Sequence, residues 1–160
     1  MQPLLLWTLS TAWAGSLSGG ESPSNLNNAY EARRVAVLIG VDQYEDPSLD
    51  DLAFAGKDAR DLAQALQEQG NFDELRILDH KDRTHRAGIL AALQEATADL
   101  QRDDTFLLYL SGHGTLTIDP TDGTQLWFMP ADSQLDLPDQ TGINISWLEE
   151  QVATVNARRR

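Results

Sequence analysis

The stretch that decides the fold is TFLLYLSGHG, residues 105–114. Its first six residues form a mostly apolar run, which is typical of a strand buried inside a sheet. Ser111-Gly112-His113-Gly114 follows that run directly. The carboxyl end of a strand is where open α/β sheets bind ligands, and a histidine there can exchange protons near neutral pH. The stretch therefore predicts an α/β domain with its chemistry beside His113.

Around this strand, the hydrophobic pattern predicts alternating strands and helices. Three further strands are predicted at residues 35–41, 75–78 and 125–129, and three helices at residues 57–69, 85–101 and 146–156. Thr84 is expected to cap the second helix, and Ser146 with Glu149 to form a capping box that opens the third. This order indicates a doubly wound α/β fold with a mostly parallel sheet. No strand is expected after the last helix, so the sheet is expected to be incomplete at the C-terminus.

Length and charge limit the classes of function. The chain has 160 residues, enough to bury the core of one domain. Its formal net charge of −13 would repel phosphate backbones, so nucleic acid is not an expected partner. The same charge would attract basic peptides; the alternative is that it serves only solubility. The chain has no cysteine, which excludes disulfide bonds and thiolate metal ligands but leaves the redox compartment open.

The first 32 residues differ in composition from the rest. Residues 1–14 contain an apolar stretch and end in Ala12-Trp13-Ala14, a pattern typical of a secretory signal peptide cleaved after Ala14. The stretch is too short to span a membrane. Residues 15–32, rich in Ser, Gly and Asn, indicate a flexible linker to a domain at residues 33–160. The protein is therefore expected to be secreted or periplasmic; the alternative is a cytoplasmic protein whose start is disordered or wrongly assigned.

Three segments, in their order and spacing, resemble the caspase-like cysteine peptidases of clan CD. They are the strand at 35–41 followed by Asp42-Gln43-Tyr44, Lys57-Asp58-Ala59 at the start of a helix, and Ser111-Gly112-His113-Gly114 followed by Met129-Pro130-Ala131-Asp132. The pattern is closer to bacterial caspase homologues and metacaspases than to animal caspases. The resemblance covers residues 33–160 and implies the N-terminal part of a three-layer caspase-like domain.

The resemblance implies a role for four residues. His113 matches the histidine that protonates the leaving amine and helps to keep the cysteine thiol ionised. Gly114 matches the glycine whose backbone N–H holds the developing oxyanion. Asp58 matches an aspartate of the pocket for the residue before the scissile bond, where it would favour Arg or Lys; the alternative is that it only favours the helix dipole. Ser111 matches a serine that lines the same pocket.

The chain departs from the family pattern because the nucleophile is missing. In the family the cysteine ends the strand that follows a helix like the one at 146–156, and these 160 residues contain none. The expected function is that of a cysteine endopeptidase cleaving after basic residues, whose partners are a peptide or protein substrate and the missing C-terminal part of the domain. The alternative is a non-catalytic binding or scaffold module.

No cofactor or metal is expected at the site. Asp119 and Asp122 are interpreted as parts of a solvated turn rather than as calcium ligands. His80 and His85 lie in polar segments and are expected to be solvated.

Overall fold

The computed structural model describes residues 31–119, 121 and 123–159. The predicted signal peptide at 1–14, the predicted linker up to residue 30, and Asp122 lie outside the described residues. Residues 31–33 have no regular secondary structure and lead into the first strand. Within the described ranges, no helix combines the length and the apolar character needed to cross a bilayer.

Seven strands and four helices are described, together with a 3-10 turn at Lys81–Arg83. The strands are β1 (Arg34–Gly40), β2 (Glu74–Leu78), β3 (Thr105–Ser111), β4 (Gly114–Asp119), β5 (Gly123–Phe128), β6 (Ile143–Asn144) and β7 (Arg158–Arg159). The helices are α1 (Ala55–Gln69), α2 (Arg86–Thr97), α3 (Pro138–Thr141) and α4 (Ile145–Thr154).

The main sheet is parallel, in the order β2-β1-β3-β7. Helices α1 and α2 provide the crossovers between its strands, because parallel neighbours cannot be joined by a tight turn. A smaller antiparallel sheet, β4-β5-β6, follows β3. The expected α/β fold with a mostly parallel sheet is confirmed.

Strand β1 is buried on both faces, which explains its unbroken apolar sequence. Val35, Val37 and Ile39 pack in a cluster with α2 residues, whereas Ala36 and Leu38 pack against α1 on the other face. Alternation along the strand thus separates two apolar clusters by one sheet. The resulting order of layers is helix, sheet, helix.

The expectation that no strand follows the last helix is wrong. Strand β7 pairs in parallel with the start of β3, matching Arg158 with Thr105 and Arg159 with Phe106. An arginine pair has no strand signature in sequence, but ladder hydrogen bonds use only the backbone, and charged residues are well tolerated at a sheet edge. Strand β4 was also not expected, since residues 114–119 follow the glycine-flanked histidine directly and read as a loop.

The two predicted helix caps are wrong. The Thr84 hydroxyl donates to the carbonyls of His80 and Lys81, and α2 begins after His85. Helix α4 is capped by Asn144, whose Oδ1 accepts the N–H of Trp147 at 3.0 Å. Asn144 is the last residue of β6, so the chain turns into the helix earlier than Ser146 would allow.

Candidate functional site

The site lies at the carboxyl edge of the parallel sheet. Strands β1 and β3 end side by side, with Gly40 opposite Ser111. The pairing continues one residue further, where the Val41 N–H donates to the Ser111 carbonyl at 2.9 Å. The two loops that leave these strands therefore start from the same place, which is where a doubly wound sheet leaves a crevice.

His113 is held by its ring. Its Nε2 lies 2.7 Å from the main-chain carbonyl oxygen of Asp50. A carbonyl oxygen can only accept, so the shared proton is on Nε2. In the neutral ring Nδ1 then carries the lone pair and is the atom that can take up and return a proton. This geometry gives His113 a fixed orientation and one defined basic nitrogen.

Tyr44 contacts both the backbone and the ring of His113. The Tyr44 hydroxyl accepts the His113 N–H at 2.8 Å and donates to the Val41 carbonyl at 3.3 Å. The two ring centroids are 4.9 Å apart, with planes inclined by 42°. Tyr44 is 8% exposed, and its burial raises the pKa of the phenol. The hydroxyl therefore stays neutral and can act as donor and acceptor together.

Gly114 presents its N–H away from the neighbouring strand. It stands opposite Phe128 in the antiparallel pair of β4 and β5, and the adjacent ladder bond runs from the Met129 N–H to the His113 carbonyl at 2.9 Å. That pattern makes Gly114 and Phe128 a pair without mutual hydrogen bonds, so the Gly114 N–H points outward from β5. An outward N–H one residue from His113 is suited to hold an oxyanion.

Ser111 has a buried hydroxyl without a hydrogen-bond partner among the described residues. Alternation along β3 puts its side chain on the face of Tyr109, which packs toward α1. On that face Gly40 lets α1 approach, since a Cβ on Gly40 would lie 2.2 Å from the Ala55 carbonyl oxygen. Ser111 thus lies on the face of the sheet that α1 covers, and its unpaired hydroxyl is a buried polar group of the kind that needs an explanation.

Asp58 lies in the first turn of α1 and is half-buried. Phe54, at the N-cap position, supplies no side-chain cap to this helix, and the Asp58 carboxylate is the acidic group of its first turn. Such a carboxylate is favoured by the helix dipole. The helix start that carries Asp58 is also the segment against which Gly40 packs, so the geometry is compatible with a pocket role and with a dipole role.

The other residues considered in the sequence analysis have contacts of their own. His80 is exposed, as expected, whereas His85 is half-buried with Nε2 3.2 Å from Glu45 Oε1, so the expectation that His85 is solvated is wrong. Asp132 accepts the Arg86 N–H at 2.7 Å and joins α2 to the loop after β5. Among the described residues, no group of three or more His, Asp or Glu side chains is arranged to hold a metal ion.

Two residues of the site had no role assigned from sequence, Tyr44 and Asp50. Tyr44 belongs to the segment after β1. Because β1 and β3 are parallel, that segment leaves the sheet at the same edge as His113, and this could have indicated that the two residues lie close together. Asp50 acts through its carbonyl, and no side-chain pattern marks a main-chain acceptor. Both lie in the loop of residues 44–51, in which the Tyr44 N–H donates to Asp51 Oδ1 at 3.0 Å.

Comparisons with known proteins bear on the whole domain. The family model described as "Caspase domain" matches residues 33–149. No curated protein matches the chain. Among solved structures, protein GSU0716 from Geobacter sulfurreducens is similar, with a TM-score of 0.62, 22% sequence identity, and coverage of 79% of this chain and 48% of that one. At that identity the likeness concerns the fold alone, and the chain spans about half the length of that protein.

Proposed function

Because the chain belongs to the caspase domain family, we propose that it supplies the histidine, the oxyanion donor and part of the substrate pocket of a cysteine endopeptidase that cleaves after Arg or Lys. The observation that carries this proposal is the hydrogen bond between His113 Nε2 and the Asp50 carbonyl. It leaves Nδ1 with the lone pair, as the nitrogen that takes up and returns a proton, near the outward N–H of Gly114. The thiol would come from residues outside these 160, which contain no cysteine.

The proposed reaction is an acyl transfer in two steps. His113 Nδ1 takes the thiol proton, and the thiolate attacks the peptide carbonyl carbon while the Gly114 N–H binds the oxyanion. The tetrahedral intermediate collapses, the C–N bond breaks, and Nδ1 returns its proton to the leaving amine. Water then attacks the thioester with Nδ1 as the base, which releases the carboxylate product and the thiol.

The preference for a basic residue rests on Asp58 and Ser111. A half-buried carboxylate pairs with a guanidinium or ammonium group by charge-assisted hydrogen bonds. The Ser111 hydroxyl has no protein partner among the described residues and can accept one bond from the same cation. The net charge of −13 would attract basic segments toward the site at low ionic strength.

A non-catalytic binding or scaffold module is the second candidate, and the lack of cysteine in all 160 residues favours it. Such a module would keep the fold and the histidine without the attacking group. The two functions differ in what the gene encodes beyond Arg160. A strand ending in a cysteine supports the peptidase, whereas its absence supports the module.

The test uses the chain extended by its own encoded continuation. We expect hydrolysis of fluorogenic peptides ending in Arg or Lys, and no turnover by the 160 residues alone, which lack a thiol. His113→Ala should lower kcat/KM by about 100-fold or more, and His80→Ala, a change at an exposed histidine, should leave it unchanged. Failure of the extended chain to cleave, or cleavage that survives His113→Ala, would overturn the proposal.

We also propose that the protein acts outside the cytoplasm, secreted or periplasmic. The support is the apolar stretch and the A-x-A pattern within residues 1–14. N-terminal sequencing of the protein recovered from its natural host should begin at Gly15. A mature protein that retains Met1 or Gln2 and fractionates with cytoplasm would refute this placement.

A further inference from the structure

We propose that Tyr44 is the positioning residue of His113, a statement that rests on the proposed function and extends it. Tyr44 touches no reacting atom. It acts on His113 at two points, through the hydroxyl that accepts the His113 N–H at 2.8 Å and through the ring contact at 4.9 Å. Its effect is to keep Nε2 on the Asp50 carbonyl, so that Nδ1 remains the nitrogen that can exchange a proton.

The Tyr44 hydroxyl joins the ends of two strands. It donates to the Val41 carbonyl, just past β1, and accepts from His113, just past β3. One buried group therefore fixes the separation of the two loops that form the site. A side chain without a hydroxyl leaves the His113 N–H and the Val41 carbonyl without this partner, and an unpaired buried polar group is unfavourable.

Gly112 provides the space that this arrangement needs. A Cβ at position 112 would lie 3.1 Å from the Tyr44 hydroxyl oxygen and 3.0 Å from Phe128 Cε2. The glycine before His113 therefore allows close approach of the phenol to the backbone. The hydrogen bond between Tyr44 and the His113 N–H therefore depends on the small size of the residue at position 112.

The loop of residues 44–51 holds His113 at both of its ends. Tyr44, at the start, holds the main chain of His113, and Asp50, near the end, holds the ring at 2.7 Å. The Tyr44 N–H donates to Asp51 Oδ1, which closes the loop on itself. Displacement of Tyr44 should therefore also displace the Asp50 carbonyl, and the ring should lose its acceptor.

The test is NMR of the 160-residue chain and two matched variants. Tyr44→Phe removes the hydroxyl and keeps the ring, and Tyr109→Phe removes a hydroxyl from another buried tyrosine, on the α1 face of β3. His113→Gln assigns the imidazole signals. In the wild type and in Tyr109→Phe, we expect a His113 Nε2–H signal and a protected His113 amide. In Tyr44→Phe, we expect loss of the Nε2–H signal and at least tenfold faster exchange of that amide.

Unchanged His113 signals in folded Tyr44→Phe would overturn the proposal, even if that variant melts at a lower temperature. Equal changes in both variants would also overturn it, because they would report a general loss of stability. If Tyr44→Phe does not fold, the wild type still decides: unprotected exchange of the His113 amide is incompatible with the 2.8 Å bond. None of these measurements needs catalysis, so they can fail or succeed independently of the peptidase test.

Discussion

The carboxylate of Asp46 accepts the backbone N–H of Leu135 at 2.8 Å, across 89 positions of the chain. Its other oxygen accepts the N–H of Ser48, also at 2.8 Å. Another bond between the same two loops runs in the opposite direction, from the Glu45 N–H to the Ala131 carbonyl at 2.8 Å. The loop that carries Tyr44 and Asp50 is thereby fastened to the loop after β5.

The hydrogen bonds of Asp46 predict that the folded state loses stability in acid. The N–H groups of Leu135 and Ser48 hold the pKa of Asp46 below its ordinary value. A lowered folded-state pKa contributes stability above the unfolded value of about 3.9, and that contribution is lost as the pH falls through the folded value. Asp46→Asn should therefore lower the melting temperature at pH 7, and the gap to wild type should narrow as the pH falls to 3.

The control for this prediction is Asp136→Asn, which neutralises an exposed carboxylate in the loop that carries Leu135. Melting curves at pH 7, 5, 4 and 3 compare the three proteins. A gap for Asp46→Asn that stays constant over this range would mean that the carboxylate charge does not contribute to folding.

Tyr44 predicts a second pH dependence, at the alkaline end. Burial raises the pKa of its phenol above the ordinary value of about 10. The unfolded chain therefore loses this proton at a lower pH than the folded chain, and stability falls as the pH rises above about 10. The slope from one such group approaches 1.4 kcal/mol per pH unit. Denaturant unfolding between pH 9 and 11.5 should show that the unfolding free energy falls less steeply with pH in Tyr44→Phe than in the wild type. An equal slope would contradict the raised pKa of Tyr44.

The close approach of β1 and α1 predicts a severe effect at a glycine. A Cβ on Gly40 would lie 2.2 Å from the Ala55 carbonyl oxygen and 2.6 Å from Gly56 Cα. Gly40→Ala should cost about 1–3 kcal/mol or more, because backbone must move. Gly114→Ala is the comparison, since its nearest contact is 3.4 Å, and its unfolding free energy should change by less than about 1 kcal/mol. Similar melting temperatures for both variants would show that the helix shifts freely.

Under the proposed peptidase function, Asp58 predicts a change of substrate preference in a chain extended to include the cysteine. Loss of a charge-assisted bond to the substrate cation costs about 1.5–3 kcal/mol, or roughly 10- to 150-fold. Asp58→Asn should lower the ratio of kcat/KM for Arg over Leu peptides by that factor. Asp61→Asn, which removes an exposed carboxylate of the same helix that pairs with Lys57, should leave the ratio unchanged. An unchanged ratio in Asp58→Asn, with only a lower melting temperature, would assign the residue to the helix dipole.

The buried strands could be predicted because burial on both faces demands continuous apolar runs. Residues 35–41 and 105–110 are such runs, and they become β1 and β3. Strand β4 could not be predicted in the same way. Its side chains Leu116 and Ile118 are 63% and 83% exposed, so the core does not select its pattern. The strand exists because backbone pairing with β5 continues from His113.

Parts of the candidate site are marked by residue type and place in the sequence, whereas Asp50, which contacts His113 through its main-chain carbonyl, is not. His113 stands out because glycines flank it after a buried strand. The predicted cap of α4 is wrong for a different reason, since Ser146 and Asn144 have similar capping preferences and only the path of the chain decides between these neighbouring candidates. The contact between Tyr44 and His113 joins residues 69 positions apart, which no local pattern encodes.

The acceptor for the His113 ring is a peptide carbonyl, and every amino acid has one. In a library of all substitutions that is selected for the proposed cleavage, position 113 should tolerate none of them, whereas position 50 should accept most, polar or apolar, so long as the loop keeps its path. An alanine scan would pass over position 50 entirely. The contact with the histidine ring thus depends on the path of the loop and not on which side chain stands at position 50. Related sequences could therefore differ at position 50 and still make the same contact.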